Sequence, residues 1–237
     1  HNDMQDLEAK ILATPCSRGL IVSDAVFSMD GDIVDLPALV ELGKKYHLLT
    51  MIDEAHATGV IGKTGHGTLE HFGSTCKPDI LMGTLSKALG SEGGYACSSK
   101  VIIDYLKNKA RSFIFATSQA PAALAAALRA IEVLEEEPQR AQSLQHNVDC
   151  FLNALHAEGV KAYSPTAIIP VIIGDEATAL QVADELLANG VLAPAIRYPT
   201  VAKGTARLRI ALMATHTEAE LTQTAKLIGA AIRKYKK

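Results

Sequence analysis

The chain has 237 residues, 48% hydrophobic and 21% charged, enough to bury a large core in one big domain or two smaller ones. Its formal net charge is −3 and its tightest basic cluster is the C-terminal RKYKK, so the basic face that nucleic-acid binding requires is missing. The four cysteines (Cys16, Cys76, Cys97, Cys150) form no CxxC pair, which points to reduced cytoplasmic thiols with no bound metal, and no apolar run reaches the ~18 residues of a membrane span.

Residues 19–27, GLIVSDAVF, read as a first strand. LPALVELGKKYH (36–47) follows at helical spacing, with Asp35 as N-cap and Pro37 in the first turn. LLTMID (48–53), DILMGT (79–84) and GGYACSS (93–99) read as further strands. Strand–helix alternation with nearly all-apolar strands predicts an α/β fold, its parallel sheet covered on both faces. The alanine-rich helix 121–137 ends at Pro138, which marks the expected junction between a large domain (1–137) and a linking helix with a small α+β domain (138–237). In the latter, 167–175 and 206–213 read as strands, 176–189 as a helix, and 191–200 as extended. Thr217 and Glu220 form a capping box for a last helix running to Lys236.

Residues 51–67, MIDEAHATGVIGKTGHG, contain both DEAH and GKT, fragments familiar from helicases and P-loops. A P-loop needs a first glycine five residues before Gly62, and that residue is Ala57. GHGTLEHFG after Thr64 reads as turns rather than the helix a P-loop requires. Position offers another meaning. Asp53 ends a buried parallel strand, where α/β sheets place their ligands. Ser28 follows the first strand, and Thr84 with Lys87 follows the third. Each residue alone could be a cap, a turn residue or a surface lysine, but their convergence on one sheet edge favours a site. A lysine nucleophile beside a buried acid and a histidine suits Schiff-base chemistry on pyridoxal phosphate, in which the acid keeps the ring nitrogen protonated.

The segments VSDAVFSMDGD (22–32), MIDEAHATGVIGKTGHG (51–67), ILMGTLSKALGSEGGY (80–95), FIFATSQAP (113–121) and AIRYPTVAKGTARLRIAL (195–212) together resemble the α-oxoamine synthases. These pyridoxal-phosphate enzymes of the aspartate-aminotransferase fold condense an amino acid with an acyl-CoA and release CO2. The resemblance implies Lys87 as the cofactor lysine, Asp53 as partner of the ring nitrogen, and His56 and Ser28 near the phenolic oxygen. It implies Thr84 as a phosphate ligand, with Thr117 and Ser118 as phosphate ligands given across the interface of a homodimer. Arg209 resembles the arginine that grips the substrate carboxylate, a task suited to its planar fork. Arg207, two residues earlier on the same strand face, reads as structural. AIR-x-PTV with GTARLR points, within the family, to L-alanine and a pimeloyl thioester as substrates in biotin biosynthesis. The alternatives are the glycine-using members, which make an acetylated glycine product or 5-aminolevulinate. Family members are longer at the N-terminus, so a fragment lacking the ring-stacking aromatic residue, and inactive alone, is also expected.

Overall fold

A computed structural model describes residues 1–73 and 75–235. They fall into two compact units, one of His1–Val26 with Ile33–Pro138, the other of Phe27–Asp32 with Gln139–Lys237.

The first unit opens on α1 (Met4–Ala13), capped by Asp3, whose carboxylate accepts from the N–H groups of Gln5 and Asp6. Asn2 ties this end down, donating to the Ile33 carbonyl and accepting from the Asp35 N–H. β1 (Leu20–Asp24) leads on to α2 (Leu36–Lys45), where Asp35 caps the helix by accepting from the Ala38 N–H. β2 (Leu49–Asp53), α3 (Thr68–Phe72), β3 (Ile80–Thr84) and β4 (Gly94–Ser98) follow, then α4 (Lys100–Lys109), α5 (Arg111–Ile114) and α6 (Pro121–Glu136). The sheet order is β1-β2-β3-β4. β1–β2 and β2–β3 pair in parallel, while β4 runs antiparallel to β3, an edge reversal common in such sheets. Ile21 and Ile52 are buried on one face; Leu20, Val22 and Leu49 on the other stay about half exposed.

Two local expectations are corrected here. The first strand stops at Asp24, not Phe27; the chain turns there, and only a bridge between Val26 and Ile33 continues the pairing. GHGTLEHFG is not all turn, because α3 occupies its centre. Local sequence offers this helix only Gly67 as N-cap. The missing acceptor comes from Glu54, fourteen residues back, whose carboxylate accepts from both the N–H and the hydroxyl of Thr68.

The second unit runs α7 (Gln139–Ala157), β5 (Ile168–Gly174), α8 (Glu176–Ala188), β6 (Ala195–Ile196), β7 (Ala206–Ala211) and α9 (Glu218–Tyr235). Its antiparallel sheet has the order β5-β7-β6. Phe151, Leu155, Ile169, Leu186, Leu208 and Ile228 are essentially solvent-free and form its core. Thr217 and Glu220 make the reciprocal capping box that starts α9. The helix reaches Tyr235, and Lys236 lies outside the described residues.

Candidate active site

In the first unit the C-terminal ends of the parallel strands carry the candidate site residues. Asp53 closes β2, and its Oδ1 accepts from the Ala55 N–H at 2.8 Å, fixing the carboxylate at the strand end. Asp24 closes β1 directly opposite, in register with Asp53. Burial, then the Asp53 carboxylate, push the Asp24 carboxyl above its ordinary value, with Lys87 opposing the shift. Lys87 is therefore close enough to feel Asp24. Its Nζ lies 2.9 Å from His56 Nε2.

Lys87 is held by the loop between β3 and β4. Leu85 donates its N–H to the Gly93 carbonyl, Ser91 donates to the Leu85 carbonyl, and Gly90 donates to that of Lys87. Leu85 and Leu89 pack with Ala127 of α6 as a small buried cluster. The backbone around Lys87 is thus pinned while its side chain stays exposed. The Thr84 hydroxyl pairs with that of Ser86 and donates to the Gly93 carbonyl.

The fold therefore joins Asp53, His56 and Lys87 in one cluster with Thr84 at the foot of the lysine loop. Thr117 and Ser118 lie in the exposed stretch before α6 and, among the described residues, make no hydrogen bond to that cluster. Ser28 is not at the end of β1. It sits in the Phe27–Asp32 segment, which belongs to the second unit. Asp24 was missed by sequence reading, although SD closing an apolar strand was the signal for it.

In the second unit Arg207 and Arg209 differ sharply. Arg207 is buried and spent: it donates to the Asp30 carboxylate and to the Met29 and Thr205 carbonyls. Arg209 donates Nε to the Ser28 carbonyl at 2.6 Å and has no carboxylate partner among the described residues. Burial pulls its pKa down. Spending Nε on a carbonyl orients the guanidinium and leaves its terminal nitrogens for an anion. The Phe27–Asp32 segment is anchored by the Thr166 hydroxyl, which donates to the Gly31 carbonyl at 2.8 Å. Gly31 has φ +72, and a Cβ there would sit 2.0 Å from the Ile168 carbonyl oxygen, so only glycine fits.

The amine, imidazole and carboxylate of the first unit are the donor set pyridoxal phosphate needs, and they stand where α/β sheets bind ligands. The model for aminotransferase class I and II matches residues 1–228. The chain belongs to that family. Its α/β fold is that of the pyridoxal-phosphate-dependent transferases. The 8-amino-7-oxononanoate synthase 1 of Bacillus subtilis is 49% identical over 230 residues, which cover 96% of this chain and 59% of that protein. A solved structure of SPT with a PLP internal aldimine superposes with a TM-score of 0.93 at 30% identity, over 99% of this chain and 60% of that one. The 8-amino-7-oxononanoate synthase of Francisella tularensis gives 0.83 at 27%, over 99% of this chain and 68% of that one. The aminotransferase-family chain thus spans about three-fifths of the length of the curated relatives it matches. No helix among its described residues is long and apolar enough to cross a membrane.

Proposed function

We propose that this family member condenses L-alanine with a pimeloyl thioester and releases CO2, forming 8-amino-7-oxononanoate in biotin biosynthesis. The observation that carries the reading is the Lys87 Nζ–His56 Nε2 contact of 2.9 Å beside the strand-ending Asp53. Pyridoxal phosphate, when bound, supplies an electrophilic aldehyde and a cationic ring that draws electron density from the substrate Cα. Lys87 Nζ would be the amine that holds the cofactor and the base that would take the Cα proton of alanine. His56 Nε2 holds that amine in place. Asp53 provides the fixed negative charge a protonated ring nitrogen requires. We assign Ser28, Thr84, Thr117 and Ser118 as cofactor contacts, the last two from a second copy in a homodimer. Arg209 is assigned to the alanine carboxylate. Four free cysteines are in keeping with a reducing cytoplasm.

A second reading rests on the higher structural likeness to SPT, named serine palmitoyltransferase in a related structure. Assays of the protein as isolated, supplying L-alanine with pimeloyl-CoA or L-serine with palmitoyl-CoA, separate the two. Alanine and pimeloyl-CoA should turn over at least ten times faster; the reverse preference overturns the substrate assignment. Lys87→Ala should abolish both turnover and borohydride-fixed mass addition from pyridoxal phosphate. Retention of the added mass would remove Lys87 from its role.

A further inference from the structure

Outside the site already described, the second unit carries a convergent cluster of a thiol, an imidazole and a carboxylate. His146 and Cys150 stand one turn apart on α7, and Glu218 is the first residue of α9. His146 Nε2 lies 2.9 Å from Glu218 Oε1 and 3.4 Å from Cys150 Sγ, and all three atoms fall within 4.8 Å of one another. Two groups thus press on a single ring nitrogen. That nitrogen carries one proton or none, so it can donate to the carboxylate or accept from the thiol, but not both. As a plain ion pair, the His146–Glu218 contact is exposed by 61% and 71% and contributes little.

We propose that His146, Cys150 and Glu218 form an open three-ligand site for a thiophilic divalent cation of the Zn2+ class. A tetrahedral zinc ion with bonds of about 2.0–2.3 Å holds neighbouring ligand atoms roughly 3.3–3.6 Å apart. The sulfur–nitrogen separation already matches, and the exposed Glu218 side chain needs only a small rotation. One thiolate, one imidazole and one carboxylate form a borderline-soft set that suits Zn2+ or Co2+ and disfavours Mg2+ and Ca2+. A cleft of about 450 Å³ opens on His146 and Glu218 beside Gln142 and His216, leaving the fourth position to water.

The scaffold is pre-set for this. Buried Asn147 donates its amide to the Met213 and His216 carbonyls, both at 2.9 Å, which fastens α7 to the turn before α9. The capping box at Thr217 then fixes where Glu218 begins its helix. Burial and the nearby Glu218 and Asp149 carboxylates push the Cys150 thiol above its ordinary value. A divalent charge inverts that balance, and the Sγ proton passes to solvent as the metal–sulfur bond forms.

The test uses the full reduced chain after chelator treatment, with Co2+ as spectroscopic probe and Zn2+ as competitor. The expected result is one Co2+ per chain, a near-ultraviolet thiolate-to-cobalt band, and displacement by Zn2+. Cys150→Ser should lose the band with an unchanged circular dichroism spectrum, and His146→Ala and Glu218→Gln should each weaken Zn2+ binding about tenfold or more. A band that survives Cys150→Ser, no band at all, or Zn2+ affinity unchanged in all three variants overturns the site.

Discussion

Arg209 and Glu54 show how differently single charged residues are used. Arg209 donates its Nε to the Ser28 carbonyl and, among the described residues, has no carboxylate partner. Arg209→Lys loses the planar fork and should raise the KM for the amino acid about tenfold or more, with a smaller effect on the acyl thioester. Steady-state kinetics against each substrate reads that split, and equal effects on both would deny the assignment. Glu54, inside the DEAH string, is only 5% exposed and braces α3. Burial raises its pKa, against the pull of the Thr68 hydrogen bonds. A raised folded-state pKa gives stability that is present below the ordinary glutamate value of 4.5 and lost as pH climbs through the folded value. Glu54→Gln should flatten that part of the stability–pH curve in urea titrations. Glu54→Ala should cost about 1–3 kcal/mol at any pH, because the fully buried Thr68 N–H and hydroxyl lose their acceptor.

At the level of elements, the stretch after β2 is a cage built around two carboxylates. Glu54 holds Thr68, and Glu70 accepts from the N–H and hydroxyl of Thr64 and the N–H of His66. GKT is thus part of a loop closed by Glu70. Gly67 has φ +79, and a Cβ there would lie 2.0 Å from Glu54 Oε2. Gly67→Ala should therefore destabilise by about 1–3 kcal/mol from the backbone alone, with the steric conflict added, measured by chemical denaturation. A Gly67→Ala protein as stable as the wild type would contradict this cage. α2 and α9 were legible in the sequence because each carries its own cap and apolar stripe, and α6, which has no side-chain cap, because its alanine-rich run starts at Pro121 and is stopped by Pro138. The helix α3 was not, since its cap comes from a distant residue. α1 also escaped, though Asp3 had the chemistry of a cap.

For the molecule as a whole, the stretch from residue 101 to 131 carries a run of exposed apolar side chains. Val101, Tyr105, Phe113, Phe115 and Leu128 are each exposed by 60% or more. Surfaces of this kind associate. The 237-residue chain should show concentration-dependent self-association in sedimentation, reduced by Phe113→Ser with Leu128→Gln. A strictly monomeric chain at high concentration would refute it.

Asp53, Thr84 and Lys87, with Ser28, could be picked out by position alone, because parallel strands must deliver their C-terminal residues to one edge, whereas the role of His56 was implied only by the family resemblance. The alternation of strand and helix likewise implied the α/β architecture. Three things were settled only in three dimensions. Asp24, not Ser28, closes β1 opposite Asp53, because the chain turns after the strand and the Phe27–Asp32 segment joins the second unit. Arg207 is consumed by Asp30 while Arg209 is not, although both share one strand face. Glu54 reaches Thr68, and His146 reaches Glu218, across 14 and 72 residues of sequence. Local pattern records which groups a residue carries and which face it presents. The partner that spends or spares those groups comes from distant chain, and only packing decides which partner arrives.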